Sequence, residues 1–430
     1  MINKYITATF LAVASIGNIS SQNVRPVPKL VVNIAIDQLR TDYIEAFIPY
    51  YSEGGIKKLL RNGAVYSNAQ YMFSPVDRAS SIASISTGTS PSSNGITGFR
   101  WLNKNTLIPV NCVDDNSYEG IFTKEGASPK NIITTTINDE LKIATEGDAI
   151  VYSIALERDA AVIGGGHAAD GALWFNKDNK CWCSSKYYFK KAPSWLESYN
   201  LLYANNFTED DVNANITNVA LECVNSCGMG TDDITDMLSL TYSVKIPVKK
   251  INKQQLQNTY IQLDKELEKL ISKLESKIGI NNLLFVVTST GYCDEKEINY
   301  EKYRIPSGTF YINRTANLLN MYLGAIYGQD KYIESCFYNQ IFLNLRQIEL
   351  KRINISDLLS RAQSFLIQNS GIKNVFTSND LMLYGDKNDS KLRNWYNPDN
   401  CGDLIIEVSP GWKLLNEDTK PVSYTHLRAH

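Results

Sequence analysis

Residues 29–37 read Lys-Leu-Val-Val-Asn-Ile-Ala-Ile-Asp (KLVVNIAID), and this stretch decides the fold. Its near-continuous apolar run is that of a strand buried on both faces of a parallel sheet rather than on one. It ends on Asp37, which carries a carboxylate to the carboxyl edge of the strand, where open α/β sheets place their sites. Comparable runs recur at residues 149–156, 283–288 and 403–408. Between them the clearest helical pattern spans 256–278, with Leu256, Tyr260, Leu263, Leu267, Leu270, Ile271, Leu274 and Ile278 on one face and Lys or Glu elsewhere. That helix leads through Gly-Ile-Asn-Asn into the run at 283–288. The alternation predicts an α/β fold with a doubly wound, mostly parallel sheet flanked by helices. Residues 298–395 change character, rich in Tyr, Asn and Gln in their first part, and read as an inserted cap. The expected layout is a core over 23–297, the cap over 298–395, and a return to the core over 396–421.

Working outward, Lys4 precedes an apolar run at 5–16 and then small and polar residues at 17–21. This is the layout of a secretory signal peptide over residues 1–22, the rival reading being a buried N-terminal helix. Export to the periplasm or beyond the cell is therefore expected, and no later stretch is apolar for long enough to span a bilayer. The formal net charge of −2 supplies no basic field for nucleic acid or anionic membrane. Eight cysteines in an exported chain make disulfides possible, and Cys181/Cys183 and Cys223/Cys227 are closely spaced. Zinc is a weaker reading of these pairs, since no histidine lies near them. The last nine residues, VSYTHLRAH at 422–430, read as translated sequencing-adaptor rather than as protein.

Three ordered passages carry a family resemblance. They are KLVVNIAIDQLRTDY with SPVDRASSIASISTGTSPSSNGITGFRW, then GGGHAADGALWF with SSKYYFKKAPSWLESYN, then NPDNCGDLIIEVSPGW. Together they resemble the phosphate-irrepressible alkaline phosphatases, relatives of the type I phosphodiesterase and nucleotide pyrophosphatase branch of the alkaline phosphatase superfamily. The resemblance implies an exported hydrolase of phosphate esters in which a Thr or Ser attacks phosphorus with the help of two zinc ions.

Position by position, the chain departs from that pattern. Asp37 matches the first metal ligand, although an Asp at a strand end can also cap the following helix. The nucleophile's place, fixed by Pro75 and by Thr87-Gly88, is filled by Arg78, which cannot attack phosphorus. Ser80 and Ser81 are close in sequence but fall on the next helical turn. Phe99 stands where an Asn would hold phosphate, and Glu157 and Asp159 stand where a Lys and an Arg would clamp it. Two carboxylates there oppose a phosphate dianion. Ser243, Pro247, Thr290 and Gly291 replace two Asp and two His ligands. The chain holds three histidines, His167, His426 and His430, and His167 belongs to the GHAADG motif outside the metal set, so it reads as a structural histidine.

The expectation is a catalytically inactive pseudo-phosphatase, acting as a binding or scaffold module for a protein or small-molecule ligand and needing no cofactor. The alternative is a metal-dependent phosphoesterase with a rebuilt site, using Asp37, Asp77, Glu157 and Asp159 as oxygen ligands for a harder metal. A buried Asp37 without metal needs a counter-charge, and Arg78 is expected to supply it.

Overall fold

The structure, a computed structural model, describes residues 27–203, 212–244, 252–293, 300–383, 390–416 and 427–428. Residues 1–22, read above as a signal peptide, and Pro247, His426 and His430 lie outside the described residues.

The opening stretch forms β1 (Leu30–Asp37), with Leu30, Val32, Ile34 and Ile36 essentially inaccessible to water. It lies in a seven-stranded sheet with β2 (Gly120–Ile121), β3 (Val151–Ala155), β4 (Gly171–Asn176), β5 (Cys181–Ser185), β6 (Asp236–Ser243) and β7 (Leu283–Ser289), in the order β2-β5-β4-β3-β6-β1-β7. Pairings among β4, β3, β6, β1 and β7 are parallel, whereas β5 runs antiparallel to β4 and β2 antiparallel to β5. The expected doubly wound, mostly parallel sheet is thus present. The run at 283–288 was expected to be buried on both faces. Instead β7 is an edge strand among the described residues, and Leu284, Val286 and Val287 are each more than a third exposed. Apolar composition signals a strand but does not say whether both of its neighbours exist.

Helices cover both faces. On one side, α4 (Val212–Ser226) and α5 (Lys253–Ile278) pack with β1, β3 and β6 in a single apolar cluster. The helix start at α5 follows from local chemistry: Asn252 accepts from the Gln255 backbone N–H while the Gln255 side chain caps in return. Of the apolar face expected over 256–278, Leu256 to Leu274 are buried and Ile278 is partly buried.

On the other side lie α1 (Arg78–Thr87) and α3 (Arg158–Gly165), which join Ala79, Ile82 and Ala83 to Ala160, Ala161, Val162 and Ile163 in a second cluster. Small residues allow the close approach. A Cβ added to Gly164 would stand 2.8 Å from the Ser153 hydroxyl of β3, so glycine lets α3 lie tightly on the sheet. The first turns of α1 and α3 come together as a consequence, and these turns carry the site.

The region after 300 differs from the sequence expectation in two ways. It is not poor in strands: β8 (Ile333–Phe337), β9 (Gln340–Leu343), β10 (Ile372–Thr377) and β11 (Leu404–Val408) form a separate antiparallel sheet, packed with α6 (Ile312–Tyr327) and α7 (Ile355–Leu366) around its own core. The run at 403–408 therefore does not return to the main sheet, because β11 pairs with β9 and β10. A short buried strand has the same composition in either sheet, so only the pairing decides. This second unit touches the main one through Phe73, Val76, Trp395, Tyr396 and Ile405. The Trp395 indole also donates to the Thr97 carbonyl at 2.6 Å.

Candidate functional site

The carboxyl ends of β1, β6 and β7 bring Asp37, Ser243 and Thr290 to one edge, since Asp37 is in register with Ser243 and the Thr290 amide donates to the Ile36 carbonyl. The first turns of α1 and α3 add Arg78 and Asp159. The sequence-derived positions therefore do converge, with Pro247 outside the described residues.

Their arrangement is a closed network. Arg78 forks onto Asp159, with Nη2 at 2.9 Å from Oδ1 and Nε at 3.2 Å from Oδ2. Its Nη1 also lies 4.0 Å from Asp37 Oδ2. The expected charge pairing of Arg78 with Asp37 is present at that limiting distance, but the principal partner is Asp159, which the sequence suggested as a carboxylate opposing phosphate or as a metal ligand rather than as a partner of Arg78. The other oxygen of Asp37 accepts from the Thr290 hydroxyl at 2.8 Å. Asp37 and Asp159 are almost fully buried, while about a quarter (24%) of the Arg78 side chain reaches solvent. Burial by itself would lower the guanidinium pKa, yet Asp159, then Asp37 and Glu157, outweigh it and hold the group more firmly protonated than usual.

Asp77 is committed elsewhere. It is the N-cap of α1, where one oxygen accepts from the Ser80 amide and the other from the Phe99 amide, both at 2.8 Å. Burial raises its pKa, against the pull of those hydrogen bonds. Phe99 thus contributes its backbone to the loop, and its ring is partly exposed. The Ser80 and Ser81 hydroxyls are buried and occupied by backbone: Ser81 donates to the Asp77 carbonyl at 2.7 Å and Ser80 accepts from the Asp77 amide at 3.0 Å. Neither is aimed outward as a nucleophile. Glu157 points away, half exposed and 3.9 Å from Lys177. The neighbouring Arg158, which sequence reasoning passed over, pairs with Asp114 and Glu125 instead of facing the site.

This donor set does not fit the zinc ions that the resemblance implies. Zinc asks for His, Cys or free carboxylate oxygens in a tetrahedral set. Here one carboxylate, Asp37, is bonded to Thr290 and faces a guanidinium, while Ser243 and Gly291 stand at further ligand positions. Nor do the four carboxylates considered for a rebuilt site converge: Asp77 caps α1, Asp159 holds Arg78 and Glu157 turns to Lys177. Among the described residues no group of three His, Cys, Asp or Glu could hold a metal ion.

The GHAADG motif builds a second, separate feature. His167 Nδ1 lies 2.9 Å from Oδ2 of Asp139, in the first turn of α2 (Ile137–Ala144), and Nε2 lies 3.0 Å from the Ile132 carbonyl. Both partners are acceptors, so the ring is fully used when it carries both protons. The Asp139 hydrogen bond raises the histidine pKa against burial. Asp139 itself is held down to about 2: burial works against this but is outweighed by His167 and by the amides of Thr136 and Ala168. Gly166 turns the chain with φ +76, and a Cβ there would lie 2.2 Å from the Thr136 hydroxyl, which accounts for the glycine before His167.

With this geometry in place, comparison with known proteins is informative. Residues 31–430 match the family model described as type I phosphodiesterase / nucleotide pyrophosphatase. The chain is 24% identical to alkaline phosphatase PafA of Elizabethkingia meningoseptica, over 94% of this chain and 85% of that protein. It is 25% identical to alkaline phosphatase PhoV of Synechococcus elongatus, over 90% of this chain and 80% of that one. The crystal structure of wild-type PafA superposes with a TM-score of 0.79, at 24% identity, over 95% of this chain and 89% of that chain, so the fold is shared.

Proposed function

Because the chain belongs to the type I phosphodiesterase / nucleotide pyrophosphatase family, we propose that it is an alkaline phosphatase relative whose phosphate site has become an internal ion-pair lock, and that it serves as an exported binding or scaffold module. The observation that carries this reading is the Arg78 fork on Asp159 with Asp37 at 4.0 Å. A guanidinium occupies the N-terminal turn of α1, where an attacking hydroxyl would be needed, and it neutralises the strand-end carboxylate that would otherwise attract a cation. A phosphate entering the site would meet the carboxylates of Asp37 and Asp159, with the one cation there, Arg78, already engaged by them. Electrostatic stabilisation of the transferring group is the main part of phosphoryl-transfer catalysis, so this arrangement removes its largest source. A protein or a small molecule is the expected ligand.

The test joins metal analysis of the purified protein with turnover of p-nitrophenyl phosphate and of its diester. The expected result is less than stoichiometric zinc and no turnover above a heat-denatured control. Stoichiometric metal, with turnover that Asp37→Ala abolishes, would overturn the reading. The alignment with alkaline phosphatases over at least nine-tenths of the chain favours a second reading, a metal-dependent phosphoesterase with a rebuilt site. That same outcome would establish it.

A further inference from the structure

Far from the strand-end site, Cys223 and Cys227 sit one above the other at the end of α4. The Cys227 amide donates to the Cys223 carbonyl at 2.9 Å, so the two residues close a helical turn. Four residues of helix separate Cα atoms by about 6 Å, inside the span of roughly 4.4–6.8 Å that a disulfide bridges, while Cβ atoms at this spacing, about 5–6 Å apart, must close to about 3.5–4.5 Å, which requires the backbone at Cys227 to move. Cys227 is the first residue beyond α4 and is followed by Gly228 with φ +70, so the backbone has freedom to adjust at that end.

Their surroundings differ in a useful way. Cys223 is wholly buried in the main apolar cluster, while Cys227 is partly exposed. The Cys227 sulfur is within hydrogen-bonding reach of the Cys223 thiol, the Tyr152 hydroxyl and the Trp195 ring, and these donors favour its thiolate: its pKa falls to about 7 against the opposing effects of burial and Asp170. The other buried thiols lack such a setting. Cys183 donates to the Trp174 carbonyl at 3.2 Å, and burial pushes Cys112, Cys183 and Cys401 upward, as burial and then Cys227 do for Cys223.

We propose that Cys223 and Cys227 form a reversible dithiol–disulfide site that reacts with low-molecular-weight disulfides, Cys227 attacking and Cys223 resolving. The Cys227 thiolate attacks one sulfur of the small disulfide, forms a mixed disulfide and releases one small thiolate. The Cys223 sulfur, after losing its proton, then attacks the Cys227 sulfur, forms the intrahelical bond and expels the second small thiolate. Two protein thiols are oxidised and one disulfide is reduced to two thiols, so electrons balance. The order of reaction follows from access, because Cys227 is the partly exposed residue of the pair and Cys223 the buried one.

The experiment uses the full chain, reduced and then equilibrated with cystine at neutral pH without denaturant, followed by alkylation and peptide mass analysis. The expected product has lost two alkylatable thiols and carries a bridge between residues 223 and 227, lighter by two hydrogen atoms than the reduced form. Cys223→Ser is expected to stop at a cysteine adduct on Cys227, and Cys227→Ser to leave Cys223 unmodified. The proposal is overturned if the wild-type chain keeps both thiols alkylatable, or if either sulfur is found bridged to a different cysteine. The wild-type measurement alone decides the matter should a variant fail to fold.

Discussion

Replacing Arg78 with Met tests the ion-pair lock by removing the charge while keeping most of the side-chain volume. The substitution leaves Asp159 and Asp37 buried and without their cation. Breaking one side of a buried pair costs about 3–5 kcal/mol. Arg78 retains 24% exposure, so water relieves part of that penalty and the expected loss is about 2–3 kcal/mol. Asp159→Leu leaves Arg78 with Asp37 at 4.0 Å and should cost somewhat less. The double variant, having lost both charges, should recover much of the sum, with a coupling of about 2 kcal/mol. Urea unfolding of the four proteins at pH 7 measures this cycle. One further readout belongs to the same reasoning: 1 M salt should leave the coupling largely intact because the pair is largely buried. Additive penalties, within about 0.5 kcal/mol, would refute it.

His167→Ala should destabilise by about 1–2 kcal/mol, with a pH window set by the Asp139 pair. The histidine pKa is raised in the folded state, so its contribution is fully present below the unfolded value of about 6.5 and is lost as pH rises through the folded value. Asp139, lowered to about 2, contributes above its unfolded value of about 3.9 and loses that contribution as pH falls toward the folded one. The gap between wild type and variant in thermal unfolding should therefore be widest near pH 5 and narrow above neutrality. Asp264→Ala should cost about 2–4 kcal/mol in urea unfolding, because this buried carboxylate accepts the amides of Ser52 at 2.6 Å and Ile56 at 2.7 Å; Asp264→Asn, which keeps one acceptor, should cost less.

Much of the main sheet was legible because burial on both faces leaves a continuous apolar trace, as in Leu30 to Ile36, and because the amphipathic face of α5 repeats over many turns. What composition could not express was partnership. The same apolar run produces β1 between two neighbours, β7 at an edge and β11 in another sheet. Within the site, fixed spacings from Pro75 and Thr87-Gly88 placed Arg78 at the right turn, and the strand end placed Asp37. The Arg78–Asp159 fork was not legible, since it depends on how closely α1 approaches α3. That approach is set by Ala79, Ala83, Ala160, Ala161 and Gly164, whose smallness reads in sequence as featureless. Likewise Asp77 looked available as a ligand, while its hydrogen bonds to the amides of Ser80 and Phe99 depend on the loop folding back over the start of α1.

The departures from the family pattern gain sense when taken together rather than one at a time. The resemblance places a hydroxyl on the first turn of α1 and cations on the first turn of α3. This chain has the cation on α1, as Arg78, and carboxylates on α3, as Glu157 and Asp159. Either change made alone would leave buried charge unmatched: Arg78 facing a Lys and an Arg, or Asp159 and Asp37 facing each other with no cation. Made together, they give a guanidinium between two carboxylates, with Thr290 completing the hydrogen bonding of Asp37. The two helix ends therefore form a coupled unit in which the Arg78 cation offsets part of the carboxylate charge at the fold's strand-end edge. On the proposed reading, Arg78→Thr alone is expected to yield no turnover of p-nitrophenyl phosphate, because the hydroxyl it introduces would still face the carboxylates of Asp37 and Asp159.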